Sequence, residues 1–83
     1  MLRIPVTYDL TCEVKQDMEY CLKNPYHCVI TRNGSPAAIV LLNPVSIKRG
    51  ADLLDWEREE VMKVVTENQY DIEEAYRRII SGW

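Results

Sequence analysis

The fold of this chain is indicated first by the stretch CVITRNGSPAAIVLL at residues 28–42. Two runs rich in β-branched residues flank Asn33 and Gly34, a dipeptide that tolerates the positive φ angles of a two-residue type I′ turn. Such a turn fixes the register of the strands, pairing Arg32 with Ser35 and Thr31 with Pro36. In that register the N–H group that proline lacks would have pointed away from the partner strand. The sequence therefore predicts a tight β-hairpin over residues 28–42.

The residues before the hairpin predict a short strand followed by a helix. Residues 2–6 read as the strand, and Pro5 places it at a sheet edge or makes it end there. Thr7, Asp9 and Thr11 are alternative helix caps, among which the sequence does not choose. Apolar residues then recur at helical spacings of three and four, at Leu10, Val14, Met18, Cys21 and Leu22. Pro25 ends this predicted helix at Asn24.

Three helices are predicted after the hairpin. Asn43 and Pro44 suit the start of a short helix that runs to Lys48 or Arg49 and closes on Gly50. A longer helix is predicted over residues 52–68. The final helix begins with Asp71 as its cap and Glu74 completing a capping box. It carries the stripe Ile72, Ala75, Tyr76, Ile79 and Ile80, and it ends at Gly82. The predicted element order, β-α-β-β-α-α-α, belongs to the α+β class.

Length and charge suggest a small cytoplasmic protein with two kinds of partner. A chain of 83 residues is marginally stable as a monomer, which favours a dimer. Residues 1–50 hold six Lys and Arg against four acids, a net charge of +2, whereas residues 51–83 hold four against nine, a net charge of −5. Neither a signal-peptide layout nor a membrane-length apolar run is recognisable. The odd set of Cys12, Cys21 and Cys28 favours reduced, buried thiols.

The sequence offers no constellation typical of an enzyme. His27 is the single histidine, and it would point away from Cys28 in a strand, which argues against a shared metal site. A glycine-rich phosphate loop and a calcium-loop spacing are both missing from the sequence. The carboxylates Asp55, Glu57, Glu59 and Glu60 spread around a helix, as on a solvated face. We therefore expect a non-enzymatic protein without metal or cofactor.

The hairpin sequence resembles the I-T-R-x-G-x-P-x-A-hydrophobic motif of the Phd/YefM (prevent-host-death) antitoxin family. In that family a strand and an amphipathic helix precede the hairpin and a short helix follows it, so the resemblance covers about residues 2–50. It implies a homodimeric, DNA-binding and dimerisation domain at 1–50. The segment 51–83 would then be an acidic helical extension that binds a toxin or packs on the dimer.

The resemblance implies an antitoxin of a toxin–antitoxin system that neutralises a RelE-like ribonuclease or a Doc-type toxin. It also implies a transcription repressor that binds operator DNA and represses its own operon. Arg32 matches the family's DNA-contacting hairpin arginine, and the DNA contacts are assigned to Arg32, Asn33, Thr7 and Arg3. The toxin contacts are assigned to Leu54, Trp56, Val61, Val65, Ile72, Tyr76, Ile79 and Ile80.

One departure from the family pattern keeps alternatives open. The family carries Ser-Glu-Ala-Arg where its first helix begins, and that arginine is a second DNA contact. This chain has Thr7-Tyr8-Asp9-Leu10-Thr11 instead, with no arginine at the matching place. The alternatives are a stand-alone dimeric transcription regulator of the same fold and an interaction module that has lost DNA binding. The apolar residues of 51–83 could equally pack on the chain's own hairpin and first helix, or on a second protomer.

Overall fold

The computed structural model describes residues 2–14, 27–42 and 44–81, which form one sheet and two helices. The five strands are β1 (Leu2–Pro5), β2 (Leu10–Val14), β3 (His27–Arg32), β4 (Ser35–Leu41) and β5 (Ser46–Arg49). The two helices are α1 (Asp55–Glu67) and α2 (Gln69–Ser81). All neighbouring strands are antiparallel, and their order in the sheet is their order in the sequence. The α+β class is confirmed.

The hairpin predicted over residues 28–42 is confirmed as β3 and β4. Asn33 has φ 51° and Gly34 has φ 87°, the positive pair that the type I′ turn requires. The observed register has both predicted pairs, Arg32 opposite Ser35 and Thr31 opposite Pro36. One irregularity follows, because Ile30 faces Ala38 and β4 therefore has one extra residue at Ala37.

The start of the helix predicted before the hairpin is wrong, because residues 10–14 form strand β2. Leu10, Cys12 and Val14 are all buried in the core, with at most 2% of their surface exposed, so the core residues recur at the strand spacing of two. Thr7 does not cap a helix; its hydroxyl accepts hydrogen bonds from the N–H groups of Asp9 (3.4 Å) and Leu10 (3.1 Å) and shapes the turn between β1 and β2. The rest of the predicted helix, 15–24, lies outside the described residues.

The short helix predicted from Asn43 to Arg49 is also wrong. Residues 46–49 form β5, which pairs Ile47 with Val40 on β4. The partly buried Val45 and Ile47 pack against the core at a spacing of two, which suits a strand, whereas a helix of one or two turns has little stability of its own. Gly50 does not end a helix. It lies where the backbone passes close to the Ile47 side chain, since a Cβ at this position would lie 2.7 Å from Ile47 Cγ2. Asn43, the predicted cap, lies outside the described residues.

The two C-terminal helices are confirmed, with a corrected boundary between them. Helix α1 begins at Asp55 and ends at Glu67, inside the predicted range 52–68. Helix α2 begins at Gln69, so Asp71 lies in its first turn and not at its cap. Asn68 separates the helices; its backbone N–H (3.1 Å) and side-chain amide (2.8 Å) both donate to the carbonyl oxygen of Val64. Gly82, the predicted end, is not among the described residues.

One core joins the sheet to both helices. It is built from the sheet residues Leu10, Cys12, Val14, Cys28, Ile30, Ala38, Val40 and Leu42 and from Leu53, Val61, Val65, Ile72 and Tyr76. The helices therefore cover one face of the sheet, and segment 51–81 shares its core with the strands. Burial of each large apolar side chain favours folding by about 1.5–3 kcal/mol. Neither described helix combines the length and apolar character that a membrane-spanning segment requires.

Candidate functional site

Arg32 lies at the end of the sheet where three connections meet, but its side chain turns toward the helices. Cys28, Ile30 and Arg32 alternate along β3, and the first two belong to the core between sheet and helices. Because side chains two residues apart in a strand share a face, Arg32 lies on that same face. The hairpin arginine therefore ends beside the start of α1.

The Arg32 guanidinium holds two carboxylates from other parts of the chain. Its Nη1 donates to Asp9 Oδ2 at 2.6 Å, and its Nη2 donates to Glu57 Oε1 at 2.8 Å. Both carboxylates are shielded from water, with 11% of the Asp9 side chain and 3% of the Glu57 side chain exposed. We call Arg32, Asp9 and Glu57 the Arg32 cluster. It joins the β1–β2 turn, the hairpin and the first turn of α1.

The partners of this cluster are themselves held in place. The Thr7 hydroxyl donates to Asp9 Oδ1 at 3.0 Å, and the Asn33 N–H donates to the Asp9 carbonyl oxygen at 3.1 Å. Glu57 Oε1 also accepts the Leu54 N–H at 2.9 Å, which satisfies a backbone donor at the helix start. A carboxylate in this first turn is further favoured by the helix dipole.

These contacts keep all three groups ionised at neutral pH. Burial opposes the charged form of Asp9, but hydrogen bonds from Arg32 and Thr7 lower the pKa of its carboxyl below the ordinary value. Hydrogen bonds from Arg32 and then from the Leu54 N–H lower the pKa of Glu57. The bonds to Glu57 and Asp9 in turn raise the pKa of Arg32. The cluster thus holds two negative charges and one positive charge.

The structure brings three of the four predicted DNA contacts to one end and leaves the fourth elsewhere. Thr7 and Asn33 lie beside the Arg32 cluster, although the Thr7 hydroxyl is occupied by Asp9 and Leu10. Arg3 lies on the edge strand β1 and faces Glu13 across the sheet. Its side chain is 66% exposed, with Nε 3.3 Å from Glu13 Oε1. Arg3 and Arg32 lie on opposite faces of the sheet.

A second polar cluster surrounds Glu13 on the face opposite the helices. Besides Arg3, Glu13 accepts a hydrogen bond from the Thr31 hydroxyl, 2.5 Å from its Oε2, and Thr31 is 2% exposed. We call Glu13, Arg3 and Thr31 the Glu13 cluster. Because the sequence predicted a helix and not a strand around Glu13, the contact of Glu13 with Arg3 and Thr31 was missed.

The predicted toxin contacts divide into buried and exposed residues. Val61, Val65, Ile72 and Tyr76 are each at most 1% exposed, because they form the core against the sheet. Ile79 is partly buried against that core, and the side chain of Ile80 lies outside the described set. Of the predicted contacts whose side chains the structure describes, two are exposed: Leu54, which is 60% exposed, and Trp56, which is 50% exposed. Packing on the chain's own sheet therefore accounts for most of the apolar stripe.

Glu57 was interpreted as part of a solvated face, and that interpretation is wrong. It is 2% exposed and lies in line with Val61 and Val65, at the i, i+4 and i+8 positions of α1. A carboxylate on a buried stripe needs a charged or hydrogen-bonding partner, so its position in the sequence carried a usable signal.

The cysteines of the described strands behave as apolar core residues. Cys12 and Cys28 are free and buried. A hydrogen bond with Cys12 and burial raise the pKa of the Cys28 thiol, so Cys28 stays protonated and weakly reactive. The buried His27 packs edge-to-face on Tyr76 with ring centroids 5.2 Å apart. Cys21 lies outside the described residues.

The fold and site define a small α+β protein, in which an antiparallel five-stranded sheet carries two helices on one face. A guanidinium group fastens the first of these helices to the strand connections. Comparison with family models, curated protein sequences and solved structures finds no match.

Proposed function

We propose that this chain is an antitoxin, a small protein that binds a basic toxin and neutralises it by covering its surface. The observation that carries this proposal is the exposure of Leu54 and Trp56 at the start of α1, while most of the other apolar residues assigned to the toxin pack on the sheet. Tryptophan is enriched among residues that dominate binding energy at protein interfaces. Exposed neighbours of this kind mark a surface that a partner protein can cover.

Charge and the hairpin give further support. Segment 51–83 has a net charge of −5, which would steer a basic protein toward it. The type I′ hairpin on which the family resemblance rests is present with the register that the sequence predicts. An acidic helical segment beside such a hairpin is the arrangement that the resemblance leads us to expect.

Co-expression with the product of the neighbouring gene tests the proposal. We expect that product to arrest growth when expressed alone, and this chain to restore growth and to co-purify with it. The double substitution Leu54→Asp, Trp56→Asp should abolish both effects, because two charges would be buried at the interface. Tyr70→Asp is the matched control, since Tyr70 is 72% exposed on the other helix. A neighbouring product that is harmless, or that does not bind, would contradict the proposal.

Operator binding is the activity that the geometry supports less. The Arg32 guanidinium is bound by two carboxylates and would have to leave both before it could read a base. A stand-alone regulator is favoured only by the exposed guanidinium of Arg3. Titration of the chain's own promoter duplex against a shuffled duplex, at several salt concentrations, tests this alternative. A sequence preference without any toxin would favour the regulator, and sedimentation of the chain would test the proposed homodimer.

A further inference from the structure

The described residues include four large apolar side chains that are exposed. Three of them belong to the segments that the Arg32 cluster joins. Tyr8 is 94% exposed, Leu54 is 60% exposed and Trp56 is 50% exposed. Tyr8 precedes Asp9 in the β1–β2 turn, whereas Leu54 and Trp56 belong to the start of α1 on either side of Asp55. The fourth, Tyr70, lies in the first turn of α2, which the Arg32 cluster does not join.

The backbone that carries these side chains is fixed before any partner arrives. The carboxylates of Asp9 and Glu57 bind the same guanidinium, at 2.6 Å and 2.8 Å. Glu57 also binds the Leu54 N–H, at 2.9 Å. Since Tyr8 adjoins Asp9 and Trp56 adjoins Glu57, one internal ion-pair cluster sets the relative positions of both aromatic residues. A preorganised surface loses less conformational entropy on binding.

Among the described residues, the exposed acidic residues nearest to Leu54 and Trp56 in the sequence are unpaired. Asp52, Asp55 and Glu59 are exposed, and within the described part of the chain none has an ion-pair partner. The nearest cation on α1, Arg58, is directed away from such a role because its Nη2 donates to the Gly50 carbonyl oxygen at 2.6 Å. Aromatic rings beside free carboxylates match a partner that presents arginine or lysine together with apolar side chains.

We infer that Tyr8, Leu54 and Trp56 form one docking surface for a basic, amphipathic segment of the partner protein. The cations of that segment would lie over the faces of Tyr8 and Trp56 and pair with Asp55 and Glu59, while its apolar side chains cover Leu54. This inference rests on the proposed function for the identity of the partner. It adds that the β1–β2 turn, which the family resemblance assigned to DNA, contributes to the protein-binding surface through Tyr8.

A labelled synthetic peptide of alternating arginine and leucine pairs provides the probe. We expect saturable binding by fluorescence anisotropy, and no binding of the same peptide with glutamate in place of arginine. Tyr8→Ala and Trp56→Ala should each weaken binding about ten-fold, as the loss of an aromatic anchor does. The matched control Tyr70→Ala should change the Kd less than two-fold. All three side chains are at least half exposed, so each variant should unfold at the temperature of the unsubstituted chain.

The same three variants are then titrated with the neighbouring gene product. The proposed surface is supported if Tyr8→Ala and Trp56→Ala lower the affinity for this product and Tyr70→Ala does not. If Trp56→Ala weakens binding and Tyr8→Ala does not, the composite surface is wrong while the antitoxin proposal stands. An equal loss of affinity in all three variants would show that the product is attracted to this acidic protein in general, and it would overturn the inference. If the neighbouring product does not bind at all, the proposed function fails, and the arginine–leucine peptide alone decides whether the surface recognises basic segments.

Discussion

The Arg32 cluster and the Glu13 cluster each place a carboxylate against an arginine, on opposite faces of one sheet. The Glu13 cluster joins strands that are already neighbours, because Arg3 faces Glu13 directly across β1 and β2. The Arg32 cluster joins the β1–β2 turn and the hairpin, which the pairing of β2 with β3 already connects, to the first turn of α1, which no strand pairing connects to them. The same kind of ion pair therefore reinforces strand pairing in one place and, in the other, adds a polar attachment to the apolar core between sheet and helices.

Removal of the arginine from each cluster gives the largest expected difference. Arg32→Ala leaves the shielded carboxylates of Asp9 and Glu57 without their counter-charge, which is strongly destabilising. We expect the thermal midpoint to fall by more than about 5 °C. Arg3→Ala removes a largely exposed arginine, while the shielded Glu13 carboxylate keeps its hydrogen bond from Thr31, so the midpoint should fall by less than about 3 °C.

Circular dichroism during heating measures both midpoints. Arg32→Lys is the matched control, because an ammonium group keeps the charge but cannot present two parallel donors to separate carboxylates. Its midpoint should lie between those of the unsubstituted chain and Arg32→Ala. Equal losses for Arg32→Ala and Arg3→Ala would remove the distinction between the clusters.

Acidification should weaken the Arg32 cluster in a defined direction. The folded state lowers the pKa of both Asp9 and Glu57, so their contribution to stability is present above the ordinary carboxyl pKa of about 4 and is lost as the pH falls through the lowered values. We therefore expect the stability difference between the unsubstituted chain and Arg32→Ala to shrink from about pH 6 to about pH 3. Urea unfolding midpoints at each pH measure it. A difference that grows on acidification would contradict the assigned ion pairs.

The parts of this fold that the sequence predicted are those with local causes. The hairpin depends on the φ angles of Asn33 and Gly34, and the two helices depend on an apolar stripe within 30 residues. The sequence did not predict strands β2 and β5, because these segments become strands by hydrogen bonding to the edges of β3 and β4. Leu10 and Val14 fit both a helical spacing of four and a strand spacing of two, and only pairing with β3 decides between them.

The Arg32 cluster was hidden for the same reason. Asp9 is 23 residues from Arg32 in the sequence, and Glu57 is 25 residues from it. The resemblance made Arg32 a DNA contact because a hairpin tip faces solvent in an isolated ribbon. Once α1 covers that face of the sheet, the side chain at this position lies beneath the start of the helix. Glu57 on the stripe of Val61 and Val65 was the one signal in the sequence that could have shown this.

The last test addresses the Glu13 cluster from its buried side. Thr31→Val preserves the shape of the side chain and removes the hydroxyl that donates to Glu13 Oε2 at 2.5 Å. We expect a loss of about 1–2 kcal/mol in the free energy of unfolding, since Arg3 continues to pair with the carboxylate. Thr11→Val is the matched control, because Thr11 pairs with Thr31 across β2 and β3 but, among the described residues, its hydroxyl does not bind a carboxylate. Urea denaturation at neutral pH measures both. A loss of stability as large as that of Arg32→Ala would contradict the comparison between the clusters. The Glu13 cluster would then contribute as much to stability as the ion pairs that attach α1, and strand pairing alone would be too weak to keep β1, β2 and β3 in register.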